Sequence, residues 1–246
     1  MAKWKCTMAY DGTHFSGYQV QPERRTVQGV VEQALRKLHK GMEVKIVASG
    51  RTDSGVHARG QVIHFSSDLP IPVDRWPKAL NAMLPDDVRI CRAEQVADSF
   101  HARYDAHRKE YRYRLLTRQE PDIFRRFYTL HVQTPLDTER MQAAGRLLVG
   151  THNFSSFCAA DTAVKSKTRT IYRLDIAVHG DETEIRVIGN GFLYQMVRII
   201  VGTLLDVGNC TFPPEQVAVI LAAVDRQMAS RTAPACGLTL WNVQYN

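Results

Sequence analysis

"GRTDSGVHARGQ", residues Gly50 to Gln61, gathers Arg51, Asp53, His57 and Arg59 in a segment punctuated by three glycines. The run before it, "VKIVAS", is rich in β-branched residues, and the run after it, "QVIHFSS", alternates, so the charged segment reads as a loop joining two strands. Loops held by rigid strands are the usual seat of chemistry. Upstream, "KWKCTMAY" alternates like a strand, and "TVQGVVEQALRKLHK" sets Val27, Val30, Val31, Ala34, Leu35 and Leu38 on one helical face, with Thr26 as its N-cap. Downstream come a short helix near "VDRWPKALNAML", despite Pro77, and a strand near "VRICRAEQV". Strand, helix, strand, strand, helix, strand is the ferredoxin-like order.

A second half begins after "FHARYDAH" with the strand "KEYRYRLLT". It continues with a helix in "DTERMQAAGRLLVG" and a hairpin "TRTIYRLDIAVHGDETEIRVIGN" turning near Gly180 and Asp181. Helices in "YQMVRIIVGTLLDVG" and "PPEQVAVILAAV" and a closing strand "LTLWNVQY" complete it. The expected class is α+β: two ferredoxin-like (RRM-like) lobes with mostly antiparallel sheets, residues 1–105 and 106–246, and a central active-site cleft, since ligands prefer domain interfaces.

With 246 residues, 44% of them hydrophobic, the chain has ample material for a core. Its longest apolar runs, such as "IIVGTLLDV", are too short to span a bilayer, and "MAKWKCTMAY" lacks a signal-like stretch, so a cytoplasmic location is expected. Cys6, Cys91, Cys158, Cys210 and Cys236 form no CxxC pair, which argues for free thiols and against a zinc site or disulfide framework. The net charge of +7 favours a polyanionic partner.

Asp53 beside Arg51 is the first candidate for chemistry: an ionised loop carboxylate serves as nucleophile, base or cation ligand, although Asp followed by Ser and Gly is also good turn chemistry. Asp53 and His57 without a third ligand at a recognisable spacing make a poor metal site. A strand through "HRKEYRYRL" puts Tyr111 and Tyr113 on one face and Arg112 and Arg114 on the other, and a tyrosine there can stack on a base. Arg198 interrupts Met196, Val197, Ile199 and Ile200 in an apolar helix; it needs an anionic partner if buried, or it snorkels at an edge. Basic residues from Arg103 to Arg114, at Arg125 and Arg126, and from Lys165 to Arg169 lie among aromatics and point to RNA or single-stranded nucleic acid.

These segments, together with "FHARYDAHRKEYRYR", "GTHNFSSFC", "KTRTI", "GFLYQMVRIIVG" and "APACGLTLWNVQY", resemble the successive motifs of the TruA family of tRNA pseudouridine synthases over nearly the whole chain. Ser54 stands where that family commonly has Ala. The resemblance implies conversion of uridine to pseudouridine in the anticodon stem and loop of tRNA, at positions 38, 39 and 40, by a homodimer with no metal and no organic cofactor. It also implies roles: Asp53 as the catalytic aspartate, Tyr111 as the active-site tyrosine, Arg198 as the arginine paired with the aspartate, Arg51 as an RNA-handling residue and Leu238 as an apolar wall. His57 belongs to the motif without a chemical step assigned to it.

Such an isomerisation breaks the C1′–N1 bond, turns the uracil and rejoins it through C5, so the nucleotide must be flipped into a pocket. Attack of Asp53 on C1′ or C6 and removal of a sugar proton all remain open at this point. Two other readings compete: an RNA-binding protein without catalysis, for which the RNP1 pattern is missing, and a metal-dependent nuclease, for which the ligand set is missing.

Overall fold

In the computed structural model, residues 1–159 and 164–245 are described. The chain forms two compact units, one of Met1–His107 with Thr239–Asn246 and one of Arg108–Leu238. The architecture is mixed α+β with mostly antiparallel strand pairing.

In the first unit, β1 (Ala2–Tyr10) lies between β3 (His57–Ser67) and β4 (Val88–Val96), antiparallel to both. The short β2 (Val47–Ala48) pairs antiparallel with β3 at His64 and Ile63, while β10 (Leu238–Gln244) pairs parallel with it at His57 and Ala58. The closing strand, read from sequence with the second half, thus returns to this unit. Helix α1 (Val27–Leu38) is capped by Thr26, whose side chain accepts from the Gly29 N–H, and it buries Val27, Val31, Ala34 and Leu35. In α2 (Trp76–Asn81), Pro77 sits in the first turn, where its missing N–H has no intrahelical partner to lose. The core stacks Trp4 and Phe65 on Trp76, with ring centroids 5.0 and 5.4 Å apart.

Two boundaries differ from the sequence reading. Only Val47 and Ala48 of "VKIVAS" pair as a strand, because Lys45 and Ile46 are drawn to the Glu32 carboxylate of α1 instead. At the other end, β3 already begins at His57, so the loop that carries Asp53 is shorter than the charged segment, and Arg59 lies on a strand.

The second unit orders its strands β5 (Arg108–Thr117), β9 (Glu182–Gly189), β8 (Thr168–His179) and β7 (Gly150–Asn153), with β6 (Leu130–Val132) parallel to β5. Helix α3 (Thr138–Arg146), capped by Asp137, packs on β8 and on α4 (Met196–Gly208); α5 (Gln216–Ala223) follows. Helix α4 buries residues on every side, as an all-round apolar helix must. All five cysteines are reduced thiols rather than halves of a disulfide. No helix among the described residues is long and apolar enough to cross a membrane.

Candidate active site

Asp53 sits half-buried on the loop between β2 and β3, and backbone contacts fix that loop. The Thr52 carbonyl accepts from the Tyr18 N–H (3.0 Å), and the Phe15 carbonyl accepts from the Gly55 N–H (3.3 Å) and the Ser54 hydroxyl (3.1 Å). The Asp53 carbonyl closes a turn by accepting from the Val56 N–H at 3.2 Å. Two glycines make this approach feasible. A Cβ on Gly12 would lie 2.1 Å from the Val56 carbonyl oxygen, and Gly17, at φ +91°, lets its backbone face Thr52 and Ser54.

Side chains brace the same loop from behind. Tyr10 Oη lies 2.8 Å from Thr52 Oγ1, and burial pushes the Tyr10 phenol up to about 12, so it remains a neutral hydrogen-bonding group. Gln61 donates to the Gly50 carbonyl at 2.8 Å and accepts from the Ser49 hydroxyl at 2.7 Å. His57 is buried, its Nδ1 3.0 Å from the Gly12 N–H and 3.1 Å from Asp11 Oδ1, which ties the start of β3 to the Asp11–Gly12 segment. Arg51 and Arg59 are exposed, and the Arg59 guanidinium lies over the Trp241 ring at 4.6 Å.

The other proposed residues belong to the second unit. Tyr111 on β5 is 8% exposed and meets Phe192 edge-on at 5.2 Å. Tyr113, two residues on and on the same face as expected, is fully buried and donates its hydroxyl to the Pro234 carbonyl at 2.8 Å. Arg198, in the first turn of α4, is half-buried; its Nε donates to the Ala233 carbonyl at 2.7 Å, and its own carbonyl accepts from the Ala233 N–H at 3.1 Å. Its charge reaches Tyr113 and Cys236: burial raises both acids, and the arginine offsets part of that rise. Gln195, the residue before α4, adopts the left-handed conformation at φ 59°. Leu238 is buried next to Gly237, which packs against the Tyr113 ring. The second unit thus brings Tyr113, Arg198 and the approach to Leu238 together, while Asp53 and Arg51 lie in the first.

Several basic residues singled out for RNA are occupied within the fold. Arg112 and Arg186 converge on Glu110, with Arg112 also reaching Glu184. Burial would raise the Glu110 carboxyl, but the two guanidiniums outweigh it and hold it below the ordinary range. Arg125 pairs with Asp122, Asp181 and Glu182. The sequence reading also passed over Gly12, Gly17, Tyr10 and Gln61, which shape the Asp53 loop. The paired glycines of "DGTHFSGY" were the available signal. Among the described residues no group of three or more His, Cys, Asp or Glu side chains is placed to hold a metal ion.

A family model described as tRNA pseudouridine synthase matches residues 7–105 and 144–246. A protein of Bacillus pumilus named tRNA pseudouridine synthase A is 56% identical over 245 residues, covering 99% of both chains. Proteins of the same name from Bacillus subtilis (54% identical, 98% of both chains) and Halalkalibacterium halodurans (57% identical, 94% of this chain and 88% of that one) agree with it. The family match covers the Asp53 loop, the Arg198 turn and Leu238, and with relatives this similar along their whole length it establishes that the chain belongs to the tRNA pseudouridine synthase family, which makes it an isomerase.

Proposed function

We propose that the enzyme isomerises uridines at positions 38, 39 and 40 in the anticodon stem and loop of tRNA, with Asp53 as the catalytic carboxylate. The observation that carries this reading is a half-buried carboxylate on a loop whose backbone is held from both sides, the preorganisation that positional catalysis requires. The target uridine is flipped out of the RNA stack at a cost of a few kcal/mol. The C1′–N1 bond breaks, the uracil turns, a C1′–C5 bond forms, the C5 proton leaves and N1 gains one. Asp53 acts on the ribose or the base in the first of these steps.

Arg198 serves as the cation that balances the negative charge of the catalytic carboxylate. Tyr111 stacks on the uracil and assists departure of the C5 proton, and Leu238 supplies an apolar wall. Arg51, exposed two residues before Asp53, handles the RNA backbone. The enzyme works as a cytoplasmic homodimer and needs neither metal nor organic cofactor. The resemblance of the motifs supports these finer points.

Tritium release from tRNA carrying C5-labelled uridine tests the reading. Release in step with pseudouridine formation, undiminished by exhaustive chelation, is expected. Absence of release from anticodon-arm uridines would overturn the substrate assignment. Loss on chelation that zinc or magnesium restores, with tRNA folding controlled, would overturn the metal-free mechanism.

A further inference from the structure

The segment Phe100–Asp105 forms a rigid turn at the far end of β3 from the Asp53 loop. Its centre is pinned: Ala102 is fully buried, its N–H donates to His64 Nδ1 at 3.1 Å, and its carbonyl accepts from the Tyr245 hydroxyl at 2.6 Å. The Lys3 ammonium donates to the carbonyls of Asp98 and Phe100, and Phe100 packs on Tyr245 with centroids 5.2 Å apart. His101 closes the turn. Its N–H donates to Asp105 Oδ2 at 2.8 Å, and its Nδ1 accepts from the N–H groups of Arg103 and Tyr104 at 3.2 and 3.3 Å.

What this scaffold presents outward is unusual for a water-soluble surface. The Tyr104 ring lies stacked on the His101 ring, 4.2 Å between centroids and 25° between planes, yet Tyr104 remains 76% exposed. The exposed Arg103 guanidinium stands 5.9 Å from the same ring. Holding a large aromatic in one orientation while burying so little of it adds little to fold stability, because side-chain ordering opposes it. A pre-stacked ring with an open face beside a free cation is what proteins use to hold an unpaired base and its phosphate.

We propose that His101 and Tyr104 form a stacking platform for one base of the tRNA, with Arg103 on the adjoining phosphate. His64 and His57 are seven residues apart on β3, so the platform lies roughly 23 Å along the strand from the Asp53 loop and takes a nucleotide other than the reacting one. The net charge of +7 favours a polyanionic occupant over a neutral or basic surface, and the tRNA of the family's reaction supplies one. The proposal rests on the chain acting on tRNA, and its test separates the two: tritium release by the parent reports catalysis, whereas the platform is read by affinity.

The experiment measures tRNA Kd across a salt series and the single-turnover rate at saturating tRNA for the parent, Tyr104→Ala, Tyr104→Phe and Arg103→Ala, with thermal melts. Tyr104→Ala is expected to weaken binding by about tenfold or more while the saturated rate stays near the parent's. Tyr104→Phe keeps the ring and should bind like the parent. Arg103→Ala should weaken binding and lower the salt slope by about one. Parent-like affinity of folded Tyr104→Ala would overturn the proposal. So would a Phe variant as weak as the Ala variant, or a Tyr104→Ala protein whose defect is a changed oligomeric state in sedimentation.

Discussion

Asp53 and Arg198 are positioned by opposite means. The Asp53 loop is held by main-chain hydrogen bonds to residues 15–18 and by two glycines that let backbone meet backbone. The Arg198 turn is held by side-chain burial, since Met196, Val197, Ile199 and Ile200 are all in the core, and the Arg198 Nε donates to the Ala233 carbonyl. A backbone-built site tolerates changes of side chain but not an added Cβ. A packing-built site feels changes of even one methylene and suffers when charge is lost.

The sharpest way to break this contrast is Gly12→Ala. Its methyl would collide with the Val56 carbonyl, displace the Asp53 loop and lower single-turnover rate by about 100-fold, with a smaller effect on tRNA binding. A parent-like rate would show that the loop does not depend on that approach. Next in size, if Arg198 is the cation of the site as proposed, Arg198→Met should cut the single-turnover rate strongly, and Arg198→Lys should recover only part of the loss because an ammonium lacks the planar fork. A parent-like rate for folded Arg198→Met would make Arg198 structural. Tyr111→Phe should leave binding intact and slow single turnover by about tenfold or more, and an unchanged rate would leave Tyr111 only a stacking role.

The smallest effect concerns stability outside either site. Burial, with His101 and Lys3 adding to it, pulls His64 from 6.5 down to about 4. The folded state therefore refuses a proton that the unfolded chain accepts. The stability tied to neutral His64 is complete above pH 6.5 and is lost as pH falls toward 4. His64→Gln should flatten the fall of Tm across that window, and an unchanged slope would contradict the assignment.

Most elements were legible because their signals are local. Thr26 before an amphipathic run gave α1, the alternation around Tyr111 and Tyr113 gave β5, and Gly180–Asp181 marked the turn between β8 and β9. The misses involve partners remote in sequence. Arg112 and Arg125 each have an acid close in sequence, Glu110 and Asp122, but the further acids Glu184, Asp181 and Glu182 that complete their pairing come only through the fold, so both arginines read as RNA contacts. The same distance hid the bracing of Thr52 by Tyr10 and of the Asp53 loop by Gly12 and Gly17. Asp53 itself stood out because charge, glycine and flanking strands coincide within a few residues.

On the function proposed above, a backbone-held Asp53 carboxylate does the chemistry and does not anchor the RNA. Asp53→Asn keeps the shape of the side chain and removes its charge. The direct measurement is tritium release from C5-labelled tRNA under single-turnover conditions, paired with tRNA Kd and a thermal melt. No detectable release, an affinity within a few-fold of the parent and an intact fold are expected. Substantial turnover by folded Asp53→Asn would contradict that role for Asp53.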